Sequence, residues 1–231
     1  MADADTLARD AAALGAVRQV EEGMTIGLGS GRAVWRVIDL IAQRWSDRER
    51  PPVRAVFASE ETRSRAAAVG IEEVELDGSV RPAVVLDGAD EVDPRLNLIK
   101  GGGAALLREK LVIVAAERFV VVAEARKQVD RLGQTRALPV EVVRFAWQDT
   151  RRRLLELLPS AELRASDDGR PVVTDEGNYI LDCGVPPAGD LTLLAGLIKS
   201  TVGVVEHGLF LGLAEMAVLG TPDGGVQRIR R

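Results

Sequence analysis

Between Val84 and Glu109 the chain reads V-V-L-D-G-A-D-E-V-D-P-R-L-N-L-I-K-G-G-G-A-A-L-L-R-E. This stretch gathers side chains suited to proton transfer. Asp87 and Asp90 follow the apolar run Val84-Val85-Leu86, Lys100 is followed at once by Gly101-Gly102-Gly103, and Glu109 lies six residues beyond the last glycine. Carboxylates can take and return protons, and a lysine can face a developing negative charge. A glycine loop that opens a helix turns backbone N–H groups toward an anion. Asp-Gly alone is a common turn, and a glycine triplet can simply turn the chain. What points to a site is the convergence of acids, a cation and a phosphate-type loop in one strand–loop–helix unit.

The elements that must position these groups follow from the pattern. A short Val/Leu run ending in Asp-Gly reads as a buried strand, and ligands of open α/β sheets sit just outside strand carboxyl ends. Asp87 and Asp90 are therefore expected at a ligand site, with Glu109 about two turns into the helix that the glycines open, facing the same crevice. Upstream, Thr25–Arg32 reads as strand, glycine turn and helix start, and Val34, Ile38, Ile41 and Trp45 share one helix face. Ser30, Gly31, Arg32 and Ala33 then stand at a helix N-terminus, a candidate phosphate contact. Arg32 breaks the dinucleotide fingerprint G-x-G-x-x-G, so no NAD site is inferred.

Further elements fill the frame. Asp3 or Asp5 can cap a first helix with Leu7, Leu14 and Val17 on one face. Val53–Ala58 and Ile71–Leu76 read as strands around a helix over Glu60–Val69, with Ser59 as its N-cap or as part of the crevice. Phe119–Ala123 is another buried strand, which places Lys127 near its carboxyl end. This alternation predicts an α/β fold with a mostly parallel, Rossmann-like sheet and helices on both faces. From Ala137 the rhythm changes. Strands at Ala137–Val143, Glu162–Ala165, Tyr179–Cys183 and Val202–Val205 alternate with helices at Trp147–Leu157 and Asp190–Lys199. That order, β-α-β-β-α-β, is a ferredoxin-like α+β arrangement. It divides the chain into a catalytic domain, 1–133 and 206–231, and a smaller inserted domain, 134–205.

Composition narrows the chemistry. The 231 residues carry a net charge of −5, which argues against a general nucleic-acid or membrane-surface partner. An anionic substrate would need a locally positive site. Cys183 is the only cysteine, which fits a reducing compartment, and the start M-A-D-A-D-T has no signal-peptide pattern, so a cytoplasmic location is expected. His207 is the only histidine. A His-cluster metal site is excluded, and carboxylates and lysines are left to carry proton transfers.

D-G-A-D-E-V followed by I-K-G-G-G-A-A-L-L-R-E-K resembles the signature of ribose-5-phosphate isomerase, type A. The likeness extends along nearly the whole chain, through A-E-A-R-K-Q-V-D-R-L-G, L-P-V-E-V, V-T-D-E-G-N-Y-I-L-D, G-V-V-E-H-G-L-F and G-T-P-D-G. It implies interconversion of D-ribose 5-phosphate and D-ribulose 5-phosphate in the pentose phosphate pathway, without metal or organic cofactor, by a homo-oligomer, dimer or tetramer. It also implies that Glu109 is the proton-transferring base, Asp87 and Asp90 the active-site aspartates, Lys100 the active-site lysine and Lys127 a substrate-binding lysine. Gly88, Ala89 and Gly101–Gly103 would line the sugar phosphate, while His207 is read as structural.

The chain also departs from that family. Many members have G-T-G-S-T-A in the first glycine loop; Ser30, Arg32 and Ala33 here remove two hydroxyls and add a cation, and Glu124 replaces a frequent Asp. On this reading Glu109 moves a proton between C1 and C2 through an enediolate, Lys100 and loop N–H groups face the oxyanion, and Asp87 assists ring opening. Two alternatives have other chemistry: a sugar-phosphate sensor without turnover, and a sugar-phosphate deaminase, which would call on a histidine. The segment before Thr25 is too short for the DNA-binding domain of a repressor-type sensor.

Overall fold

The computed structural model describes residues 3–231. In chain order its first half comprises α1 (Ala4–Ala16), β1 (Thr25–Leu28), α2 (Arg32–Arg44), β2 (Arg54–Phe57), α3 (Glu60–Ala68), β3 (Glu72–Glu73) and β4 (Val84–Asp87). Two short strands follow, β5 (Glu91–Val92) and β6 (Leu98–Ile99), then α4 (Leu106–Ala115) and β7 (Phe119–Glu124). The second half holds β8 (Leu138–Val142), α5 (Trp147–Leu154), β9 (Ala161–Leu163), β10 (Tyr179–Cys183), α6 (Leu191–Ser200) and β11 (Val204–His207). It closes with β12 (Leu209–Phe210), β13 (Met216–Gly220) and β14 (Val226–Arg230).

Seven strands form the main sheet in the order β14-β13-β7-β4-β1-β2-β3. Its neighbours pair in parallel, apart from the antiparallel edge pair β13–β14. The chain first builds outward from β1 through β2 and β3, then crosses back to place β4 on the other side of β1. That reversal is a topological switch point, and the carboxyl ends of β1 and β4 open there. Central parallel strands are covered on both faces, which is why Val84–Leu86 and Phe119–Ala123 are continuous apolar runs. On one face Val34, Ile38 and Ile41 of α2, with Trp45 at its C-cap, pack on Ile26, Leu28 and Leu86. On the other, Val112 and Ile113 of α4 pack on Val85, Val121 and Ala217.

The first helix corrects an expectation. Asp3 caps it, accepting a hydrogen bond from the Thr6 N–H at 2.7 Å, but Leu7 and Leu14 are exposed and the buried side is Ala8, Ala11, Ala12, Ala13 and Ala16. The reason is close approach. A Cβ on Gly220 would stand 1.7 Å from the Ala8 carbonyl oxygen, and one on Gly15 would stand 2.6 Å from Val218 Cγ1. At that distance from β13 only alanine-sized side chains fit.

The hairpin β5–β6 and β12 form a separate antiparallel sheet in the order β12-β6-β5, which the sequence pattern does not announce. Asp93 closes the hairpin turn, accepting from the Arg95 and Asn97 N–H groups at 2.8 Å each. The register folds the chain back on itself: the Asp90 N–H donates to the Ile99 carbonyl at 2.8 Å. Lys100 is thereby returned to the end of β4.

The remaining sheet has the order β11-β8-β10-β9, with antiparallel neighbours and β-α-β-β-α-β connectivity. Its helix α5 ends at Leu154 rather than Leu157, and its last strand runs on to His207 rather than Val205. Leu138, Val140, Leu154, Leu181 and Ile198 share one core with Ile99 and Leu209. The small sheet therefore packs against the hairpin that carries Lys100. Among the described residues no helix is long and apolar enough to cross a membrane.

Candidate active site

Asp87 ends β4 and is fully buried. Its place is made by Gly29, which follows β1: a Cβ there would fall 1.8 Å from Asp87 Cγ. Asp87 Oδ1 accepts from the Ser30 N–H at 3.2 Å and the Gly88 N–H at 2.7 Å. Oδ2 faces the Lys100 ammonium at 2.9 Å. Lys100 Nζ donates to the Gly88 carbonyl at 2.7 Å and stands 3.2 Å from Glu109 Oε2. The ammonium thus meets both carboxylates as ion contacts, while its aligned hydrogen bond goes to the backbone. Glu109 is only 5% exposed, and the Phe210 ring lies 5.6 Å from the Lys100 ammonium.

One buried cation thus serves two buried carboxylates. Burial first, and then the negative charge of Asp87, push the Glu109 carboxyl up to about 8, with Lys100 pulling the other way. Burial also raises Asp87 against the pull of Lys100 and the two N–H groups. Burial alone would lower Lys100, but the charges of Asp87 and Glu109 outweigh it and hold the ammonium well above its ordinary range. The lysine stays charged, and Glu109, held near 8, can gain and lose a proton near neutrality.

Glu109 stands in the first turn of α4, not two turns into it. Ala104 adopts a left-handed φ of 59°, so the helix starts at Leu106, three residues past the glycines. The loop before it is pinned. The Gly102 N–H donates to Asp90 Oδ2 at 2.8 Å, and Gly101 has a φ of +109° with Leu106 Cδ2 2.8 Å from where a Cβ would be.

These groups meet in a cavity of about 420 Å³. Its walls include Ser30, Gly31, Arg32 and Ala33 from the β1–α2 turn, and Gly88, Ala89 and Asp90 from the end of β4. Lys100, Gly101, Gly102, Gly103 and Glu109 form another side, and Lys127 a further one. Asp87 is the exception among the candidates; it lies beneath the wall, behind Lys100. Ser59 caps α3, accepting from the Thr62 N–H at 3.2 Å, and its hydroxyl is 3.3 Å from that of Ser30. Arg32 is exposed, and among the described residues no ion pair involves it.

Arg9, Trp35, Arg126 and Arg136 also line the cavity, and the sequence pattern does not single them out. Arg9 comes from α1 and meets Glu124 at 3.2 Å; Glu124 in turn stands 3.1 Å from the Lys127 ammonium. Burial would raise Glu124, but Lys127 and Arg9 together hold it below its ordinary range. Arg136 rides on a loop fastened by the fully buried Glu91, which accepts from the Gly133 N–H at 2.6 Å and the Arg136 N–H at 2.8 Å. His207 lies outside the cavity wall, and its Nδ1 accepts from the Leu209 N–H at 3.3 Å. Burial and then the Lys110 charge push it down to about 4, so the ring is neutral at physiological pH. Among the described residues no group of three or more His, Cys, Asp or Glu stands together as a metal site. The arrangement suits proton transfer at carbon: a buried base, an adjacent cation for the oxyanion, and further cations for an anionic substituent.

Residues 54–224 match the sequence model of the family ribose 5-phosphate isomerase A (phosphoriboisomerase A). A curated relative from Roseiflexus sp. (strain RS-1), named ribose-5-phosphate isomerase A, is 48% identical over 96% of this chain and 96% of its own. The solved structure of ribose 5-phosphate isomerase from Plasmodium falciparum superposes with a TM-score of 0.92 at 33% identity, covering 98% of this chain and 99% of that one. A D-ribose-5-phosphate isomerase solved in complex with phospho-erythronic acid gives a TM-score of 0.92 at 35% identity, with 100% of each chain covered.

The buried trio makes a stability prediction. Glu109 is raised from 4.5 to about 8 on folding. Below its unfolded value both states hold the proton and the residue is neutral in its effect. As pH rises toward 8 the unfolded chain ionises while the folded one does not, so the native state loses stability; above that value the loss is complete. Glu109→Gln removes this penalty. In urea melts it is expected to match wild type near about pH 5 and to exceed it at about pH 9, by on the order of a few kcal/mol. A gap that does not grow with pH would count against a buried carboxylate that Lys100 only partly compensates.

Proposed function

The chain belongs to the ribose 5-phosphate isomerase A family, and we propose from that premise that it interconverts D-ribose 5-phosphate and D-ribulose 5-phosphate through an enediolate. The observation that carries the reading is Glu109, buried in the cavity wall with its carboxylate 3.2 Å from the Lys100 ammonium. A carbon beside a carbonyl is a weak acid, so the base must hold protons well and the oxyanion must be met by fixed charge. Burial supplies the first condition and Lys100 the second.

The steps follow from these positions. Glu109 removes the proton from C2 of the open aldose. The C2–H electron pair becomes the C1–C2 double bond, and the carbonyl pair moves onto O1. Lys100 faces the negative oxygen, together with the loop N–H groups of Gly101 and Gly103; that of Gly102 is held by Asp90. The hydroxyl proton passes from O2 to O1, C2 becomes the carbonyl, and Glu109 returns its proton to C1. Asp90 faces the cavity and Asp87 does not. Ring opening is therefore assigned to Asp90. Asp87 keeps Lys100 charged and in place, a revision of the role the sequence suggested. The phosphate is assigned to the cationic end, where the β1–α2 turn, Arg9 and Lys127 converge, and its binding energy orients the reacting carbons. The related protein's phospho-erythronic acid combines a carboxylate with a phosphate, as the enediolate combines charged oxygens with one. The same acid is expected to compete with substrate here.

We assign residues 1–133 and 206–231 to a catalytic unit and 134–205 to a smaller one. We place the enzyme in the non-oxidative branch of the pentose phosphate pathway, as a homo-oligomer in the cytoplasm. The histidine that a deaminase would call on is absent from the cavity wall.

Two outcomes test this function. Glu109→Gln keeps the shape but accepts no proton, so kcat is expected to fall about 10²-fold or more with substrate binding largely retained. Near wild-type turnover by the folded variant removes Glu109 from the role. Arg32 stands at the phosphate end with its guanidinium uncommitted. Arg32→Ser is expected to raise KM about tenfold or more, on the scale of a charge-assisted hydrogen bond. An unchanged KM leaves the phosphate to the backbone, Ser30, Arg9 and Lys127.

A further inference from the structure

The residues on either side of Glu109 are anchored to elements outside the cavity, and the mechanism above uses neither. Arg108 Nη1 lies 2.7 Å from Glu60 Oε1 at the start of α3 and 3.6 Å from Asp175 Oδ2. Its Nε donates to Glu176 Oε1 at 2.5 Å. Asp175 Oδ2 also accepts from the Glu60 N–H at 3.2 Å, so the guanidinium closes a junction between α3, α4 and the turn that precedes β10. That turn is itself held from below. Buried Glu141 of β8 accepts from Thr174 Oγ1 at 2.8 Å and from Asn178 Nδ2 at 3.0 Å. On the opposite side Lys110 Nζ donates to the His207 carbonyl at 2.6 Å and meets Glu206 at 2.8 Å.

The junction matters because of where the base sits. The N-cap of α4 is Ala105, which offers no side-chain acceptor, and Glu109 stands in the first turn. An uncapped first turn leaves N–H groups unmatched and frays. A general base cannot tolerate that, since misplacement by about 1 Å costs on the order of 10²-fold in rate. Successive helix residues project about 100° apart. Arg108 and Lys110 therefore reach to the two sides while Glu109 points between them into the cavity.

We propose that Arg108 is a positioning residue for the isomerisation: by clasping Glu60, Asp175 and Glu176 it anchors the uncapped first turn of α4 from outside, and so holds the Glu109 carboxylate over the reacting carbons. The proposal rests on Glu109 being the base. The guanidinium is partly exposed and its ion pairs are screened, so its contribution to global stability is small and its effect is on geometry.

The test compares wild type, Arg108→Ala and Arg108→Lys in full-length protein, assayed together for conversion of ribose 5-phosphate. Arg108→Ala is expected to lower kcat about ten- to a hundredfold while KM moves less than about threefold and Tm changes little. Arg108→Lys, which reaches one carboxylate at a time, is expected to recover part of the rate. If Arg108→Ala does not fold, Glu176→Gln loosens the same junction from its exposed end, and a several-fold fall in kcat is expected. Unchanged kcat in either folded variant beside an active wild type overturns the clasp alone. A rise in KM at constant kcat also overturns it. A wild type that does not turn over overturns the isomerase reading and the clasp with it.

Discussion

The structure depends on one ammonium group shared by two buried carboxylates. Lys100 stands 2.9 Å from Asp87 and 3.2 Å from Glu109, and all three are almost wholly buried at the cavity wall. Taking charges out of water costs several kcal/mol per ion unless partners compensate. Asp87 is compensated by the ammonium and two backbone N–H groups, and Lys100 by Asp87 and the Gly88 carbonyl. Glu109 receives what remains of the cation and no aligned hydrogen bond to Oε2. That shortfall makes it a strong proton acceptor. Instability and reactivity have the same origin here, as is common where catalytic groups are tuned by burial.

Much of the surrounding architecture reads as the means of assembling that trio. Gly29 vacates the volume that Asp87 fills. The β5–β6 hairpin returns Lys100 to the end of β4, and β12 brings Phe210 over it. The small sheet shares a core with that hairpin through Ile99 and Leu209, and its β11 and the turn before its β10 meet Lys110 and Arg108 on the two flanks of Glu109. On the proposed mechanism it acts on the geometry of the base without placing a strand in the cavity.

What was legible in the sequence was what is local. Asp87, Asp90, Lys100, the glycines and Glu109 share one strand–hairpin–loop–helix unit, so spacing alone groups them. The central strands were visible because burial on both faces leaves no polar positions. Arg9 and Glu124 are 115 residues apart, and only the folded sheet brings them to 3.2 Å. Two-residue strands such as β5 and β6 are too short to show a period. The packing of α1 ran against hydrophobicity, because the tight approach at Gly220 selects alanine over leucine. The start of α4 was misplaced because nothing in Ala104 signals a left-handed residue. Burial of Asp87 beneath the wall could not be told from exposure at it, since both put an acid at the end of a strand.

The feature on which the reaction turns is the tight hold Glu109 keeps on its proton, far beyond that of an ordinary glutamate. It can be measured directly by following side-chain carboxyl carbons in ¹³C-glutamate-labelled protein across pH, with Glu109→Gln identifying the resonance. One carboxyl is expected to titrate far above 4.5, toward about 8, and to be missing from the variant. A Glu109 resonance that titrates in the ordinary glutamate range would contradict it.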